Sequence, residues 1–224
     1  MTDAPPLLPV DMTLDELRPL LVAAMLPHVP FDGWSAKAAE TAGADLGLPP
    51  GRATIVFSGG AAGMVAAYID FADARMRRTL EALDLPDMKV RDRITIAVRT
   101  RLEQAALERE AVRRTIGILG QPQNLPLSAR TLWGSADAMW RAAGDTATDY
   151  NHYTKRLTLG GVYASTLLIW LDDDSEGFAD TWAFLDRRIG DVMRFEKAKA
   201  RLLGDNERLP SLSRFLGRLR YPAI

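Results

Sequence analysis

Cysteine is absent from the 224 residues. That excludes a disulfide framework, a thiolate metal site and a cysteine nucleophile, and it fits a reducing compartment. Histidine is scarce: His28 stands beside a proline, His152 lies in the middle of the chain, and no Glu-x-x-His pair offers ligands for a di-iron or zinc centre. No apolar run approaches twenty residues, so a membrane-spanning helix is not expected. Alternating Val, Ile and Thr bounded by Asn-Gly or Asp-Gly turns is missing, which argues against a sheet. Base is rare at the start: residues 1–60 hold Arg18, Lys37 and Arg52 against seven acids. The first twenty residues carry four acids and one arginine, the wrong sign for a secretory signal or a mitochondrial transit peptide. A cytoplasmic bacterial protein or a processed organellar one is expected.

What is present is helical periodicity in one segment after another, so the fold class is all-α. Thr13 and Glu16 form a capping box for a first helix reaching about Leu26. Ser35 starts a short helix ending near Gly43, and Pro49-Pro50-Gly51 opens another. "FSGG" leads into a long helix over about 61–83. Val90, Ile94, Ala97, Val98, Arg101 and Ala105 mark the next, a helix around 108–119 follows, and Ser128 caps one carrying Trp133 and Trp140. The last helices run to Leu171 and, after "DDDSEG", along Phe178, Trp182, Leu185, Ile189 and Val192, whose spacing of four, three, four and three predicts a packing seam, read here as that of a homodimer. Three parts result: residues 1–60, a helix-turn-helix region; 61–204, a helical body; and 205–224, a loop and an amphipathic helix.

Several motifs fail on inspection. The segment 50–57, the candidate recognition element of the helix-turn-helix, offers Arg52 and little more for phosphates or base edges, so nucleic acid is not expected as a partner. "GGAAG" lacks a preceding strand and a Walker lysine. "DDDSEG" has Ala183 where a calcium loop needs a bidentate Glu, and reads as a helix N-terminus with acids placed on the dipole. No cofactor, metal site or catalytic constellation is indicated, and no enzyme activity is expected.

Three features carry the functional reading. Residues 194–224 hold eight basic groups against three acids. Within them Leu212, Phe215, Leu216 and Leu219 recur at helical spacing with Arg214 and Arg218 between, a composition suited to an anionic membrane surface. Small residues among rings over 157–185 predict an apolar slot for an isoprenoid or acyl tail, with Leu159, Tyr163, Trp170 and Trp182 as its candidate lining. Third, "GDTATDYNHYTKR" sets charges and rings between two segments that can bury most of their length.

The blocks "FDGWS", "RDRITIAVRTRLE", "LWGSADAMWRAAGDTATDYNHYTKR" and "GFADTWAFLDRRIGDVM", spread over about residues 30–195, resemble the ubiquinone-biosynthesis accessory family counted ninth among the coenzyme Q proteins. The resemblance implies a TetR-like helical bundle with a vestigial helix-turn-helix, a homodimer, and a cavity for isoprenoid quinones or phospholipid. It also implies a membrane-seeking terminal helix, on the inner membrane face in a bacterium, and a partner, the demethoxyubiquinone hydroxylase. Carried over by position, the docking surface falls on Asp137, Met139, Asp149 and Tyr153, and His152 stands where the mitochondrial pattern has a tryptophan. The competing expectation is a TetR-type transcriptional regulator with a lipid ligand.

Overall fold

The computed structural model describes residues 9–83, 85, 87–145 and 150–204, with backbone alone for residues 150, 151 and 195–204. Asp149 and the membrane candidates Leu212, Arg214, Phe215, Leu216, Arg218 and Leu219 lie outside the described residues. Ten α-helices and short 3-10 turns make up the described structure, which contains no strand. They are α1 (Leu14–Met25), α2 (Val29–Asp32), α3 (Ala36–Asp45), α4 (Arg52–Ile55), α5 (Gly60–Glu81), α6 (Val90–Glu103), α7 (Arg109–Leu119), α8 (Leu125–Ala142), α9 (Tyr150–Leu171) and α10 (Ala179–Gly204).

Local chemistry sets the early boundaries. The Thr13 hydroxyl accepts from the Glu16 amide at 3.3 Å while the Glu16 carboxylate accepts from the Thr13 amide at 2.9 Å, a complete capping box that satisfies two end groups of α1. Ser35 caps α3 through the Ala38 amide at 3.2 Å. α8 begins at Leu125, earlier than the Ser128 cap expected, because Pro126 sits in the first turn, where an amide hydrogen is not needed.

α1, α3 and α4 form the N-terminal unit, and α1 lies on α5. Trp34 ties this unit to the body: its indole donates to the Thr115 hydroxyl at 3.0 Å and its ring stacks on Tyr68 with centroids 5.1 Å apart. Burying a ring of that size contributes roughly 1.5–3 kcal/mol. α5 is the central rod, packed against α6, α7 and α8, and α8 in turn packs on α9.

α10 packs on α9 and α6. Its seam is therefore spent inside the chain: Leu185 and Ile189 are buried, and Phe178, Trp182 and Val192 are half-buried against the same core. Leu185 and Ile189 are thereby taken out of the expected dimer seam, whereas Phe178, Trp182 and Val192 keep part of their surface open. The turn before α10 is fixed by Asp173. One carboxylate oxygen accepts from the Thr181 amide at 2.8 Å and the other from the Ser175 amide at 2.8 Å. Burial opposes the charge on Asp173, yet the hydroxyls and amides of Ser175 and Thr181 hold its carboxyl well below the usual range.

Candidate functional site

The polar run between α8 and α9 is largely an internal clamp. Arg156 is only 2% exposed, and a guanidinium so placed requires paired charge. Its Nε donates to Asp137 Oδ1 at 2.6 Å, and one Nη donates to Asp145 Oδ2 at 3.2 Å and to the His152 carbonyl at 3.1 Å. Arg141, one turn beyond Asp137, donates to the other oxygen of Asp137 at 2.7 Å, and Lys155 donates to the other oxygen of Asp145 at 2.6 Å. Lys155 also lies over the Trp140 ring, 5.2 Å from its centroid, while the Trp140 indole donates to the Lys155 carbonyl at 3.0 Å. Asp137 was expected on a docking surface; both of its oxygens are committed to arginines of the same chain.

Burial raises the carboxyls of Asp137 and Asp145, but hydrogen bonds and charge from Arg156, with Arg141 or Lys155, outweigh it, so both stand below the usual carboxylate range. A carboxyl lowered by folding stabilises the fold fully above its unfolded value, near 4, and the gain is lost as pH falls through the folded value. Acid unfolding followed by circular dichroism is therefore expected to set in below about pH 4, and less steeply in Asp145→Asn. An unchanged acid transition in that variant would remove Asp145 from the account.

Met139 is not a surface group. It lies on the same face of α8 as Ser135 and Ala136 and is fully buried, which corrects its expected docking role. Beside the clamp, Trp133, His152 and Tyr153 form a ring cluster that reaches the surface. Their centroids are 6.2 Å apart for Trp133 and His152, 5.9 Å for Trp133 and Tyr153, and 5.2 Å for His152 and Tyr153. Tyr153 is 58% exposed and Leu157, one turn on, is 67% exposed. Trp133 and Leu157 extend this exposed patch and were not among the expected contacts, although each stands four residues from one, Trp133 before Asp137 and Leu157 after Tyr153.

The four expected lipid contacts do not share one slot. Tyr163 lines a first cavity of about 260 Å³ between α5, α6, α7, α8 and α9, whose wall is mostly apolar, with Leu102, Val112, Leu132 and Leu167, and also holds Arg101. Leu159 lines a second, of about 270 Å³, with Ile94, Trp140, Val162, Ile189 and Val192, so α10 closes one side of it. Trp170 is fully buried and lines neither cavity: its ring packs on Phe178 at 5.9 Å, and Phe178 on Trp182 at 6.3 Å. Trp182 lines neither, and Arg99 lies over its ring at 4.7 Å. Direct ring packing fills the space that small and aromatic residues had suggested for a single slot.

At the N-terminal unit the Arg52 guanidinium donates to the Met12 carbonyl at 2.8 Å, and the Glu40 carboxylate accepts from the amides of Gly51 at 2.8 Å and Thr54 at 3.2 Å. Among the described residues no group of three His, Asp or Glu could hold a metal ion, and no helix is long and apolar enough to cross a membrane.

Residues 125–196 match the family model COQ9. The chain is 35% identical over 186 residues to "Ubiquinone biosynthesis protein COQ9, mitochondrial" of Rattus norvegicus, an alignment covering 80% of this chain and 59% of that protein. The Homo sapiens protein of the same name is 33% identical over 186 residues, covering 80% and 58%. The chain thus spans less than two thirds of the length of these relatives. Among solved structures, a TetR transcriptional regulator from Nitrosomonas europaea superposes with a TM-score of 0.63 at 21% identity, covering 79% of this chain and 97% of that one, so the fold is TetR-like. The matched segment 125–196 takes in α8, α9 and most of α10, and with them the arginine clamp and the ring patch.

Proposed function

Because the chain belongs to the COQ9 family, we propose that it is a non-catalytic accessory protein of ubiquinone biosynthesis that binds isoprenoid quinone intermediates and presents them to a demethoxyubiquinone hydroxylase. The observation that carries the reading is the first cavity, apolar over most of its wall and enclosed by five helices of the body. Its 260 Å³ lies just below the range of about 300–1,000 Å³ that holds drug-sized ligands, so it accommodates a ring and the start of a tail. An isoprenoid tail keeps a quinone in the bilayer, and a protein that covers part of that tail lowers the cost of bringing the ring to a peripheral enzyme.

The hydroxylase docks, in this reading, on Trp133, His152, Tyr153 and Leu157, rings and an apolar side chain bordered by the charges of the clamp. The basic segment after residue 204 supplies the attraction to an anionic membrane on its inner face. With Leu185 and Ile189 used internally, a second copy of the chain would meet the half-open Phe178, Trp182 and Val192 or other apolar surface, such as the exposed Leu168 and Ile169 of α9. The regulator reading has less support: the one base of the candidate recognition segment is tied to the Met12 carbonyl.

The test is native mass spectrometry of protein purified from a ubiquinone-producing host, followed by extraction of bound small molecules. Co-purified isoprenoid quinone or phospholipid is the expected result. A protein that emerges empty, and stays empty when offered quinone in vesicles, would overturn the reading.

A further inference from the structure

The first cavity is polar at one end. Gly120, Leu119, Ser128 and Leu168 are exposed or half-buried and mark its mouth, whereas Tyr68, Arg101, Ser135 and Tyr163 at the other end are all buried. Arg101 is 4% exposed. Its Nε donates to Asp73 at 2.9 Å, and the second oxygen of Asp73 accepts from the Ser135 hydroxyl at 2.7 Å. Asp73 therefore orients the arginine and cancels its charge, while the terminal amino groups of Arg101 have no hydrogen-bond partner among the described residues. Tyr163 is 5% exposed, and its hydroxyl likewise has none. The other polar groups nearby are used: the Tyr68 hydroxyl donates to Glu108, which Arg75 neutralises, and the Thr115 hydroxyl donates to the Ala111 carbonyl.

Neither group is among the sealed polar atoms that lack a partner in the described residues, which belong to Arg52, Arg75, Gln104 and Trp170; Arg101 and Tyr163 line the cavity, where a ligand oxygen can meet them. The guanidinium can only donate, the Tyr163 hydroxyl can donate beside it, and Asp73 already balances the arginine's charge, a combination that fits an uncharged oxygen acceptor and leaves a carboxylate or phosphate without a counter-charge. We infer that the closed end of the first cavity is a head-group subsite, in which Arg101 and Tyr163 donate to the carbonyl oxygens of an uncharged ring of the quinone class, so that the ligand enters ring first. The inference rests on the lipid-binding reading above and adds to it the pose and the residues that read the head. A ring held there is shielded from solvent, and hand-over to an enzyme requires its withdrawal through the mouth. Burial pushes the Tyr163 hydroxyl up, which keeps it a donor throughout the neutral range.

Two probes separate this inference from the reading beneath it: a short-tailed ubiquinone and the hydrocarbon of the same tail, each titrated calorimetrically. Tyr163→Phe removes one hydroxyl and is expected to weaken the quinone about five- to tenfold, leave the hydrocarbon unchanged, and return the carbonyl infrared band of the bound quinone toward its position in apolar solvent. Unchanged quinone affinity in the variant would overturn the subsite while lipid binding stands. Equal weakening of both probes would make Tyr163 a packing residue and overturn it too. If neither probe binds the unaltered protein, the subsite and the lipid reading fall together.

Discussion

Arg156→Met is expected to lower the free energy of unfolding by about 3–5 kcal/mol. The side chain is almost wholly buried, and methionine fills much of its volume, so the loss is electrostatic more than steric. Removing the guanidinium strips Asp137 and Asp145 of the charge they share, and a buried carboxylate that loses its partner carries its full desolvation cost. Arg141 and Lys155 remain, but they are 69% and 37% exposed and solvent weakens their pull. Urea unfolding of the two proteins measures the difference. Adding Asp145→Asn to Arg156→Met should restore part of the loss, since a neutral amide needs no counter-charge. A loss below about 1 kcal/mol would place the clamp among ordinary surface pairs.

Tyr153→Ala is expected to weaken docking of a demethoxyubiquinone hydroxylase by about 1–3 kcal/mol, roughly 5–150-fold in the dissociation constant. Tyr153 is the most exposed of the three clustered rings and makes no contact with the clamp's carboxylates, so the melting temperature should stay where it was. Calorimetric titration with the hydroxylase of the same organism reads the affinity, and a thermal scan reads the fold. Normal affinity in the variant would move the docking surface away from α9. Loss of affinity together with loss of fold would make the ring a structural one.

Comparing these two residues shows what the sequence conveyed and what it withheld. Both lie in "GDTATDYNHYTKR", and the sequence marked that run as unusual for a helix entering a core. It did not tell Tyr153, which faces water, from Arg156, which does not, because the partners that bury Arg156 are 19 and 11 residues earlier and meet it only when α8 and α9 pack. Local features were legible: the caps at Thr13 and Ser35 depend on neighbours three residues away. The α10 seam was legible as a buried face but not in its partner, since the spacing is the same whether α6 and α9 or a second chain covers it. Rings and small residues over 157–185 pointed to space between helices, yet volume is a property of three dimensions. Trp170 packs against Phe178, and the open space lies in two separate cavities along the earlier turns of α9. Arg101 was visible in sequence only as a member of an amphipathic stripe, and its pairing with Asp73, 28 residues earlier, needed the fold.

The Glu40 carboxylate at the start of α4 bears on whether that turn can take an outside anion. In a reader of DNA, free amides at that point are where a phosphate oxygen would lodge. Here a carboxylate of the neighbouring helix already occupies the Gly51 and Thr54 amides, held as an intramolecular competitor whose effective concentration is of millimolar order or above. The Glu40 carboxyl is lowered chiefly by the Gly51 amide, so the plug keeps its charge through the neutral range. An incoming phosphate would have to expel one anion and then lie beside it. A phosphate could bind at this turn only by displacing an existing contact first, a barrier set by a single acidic side chain.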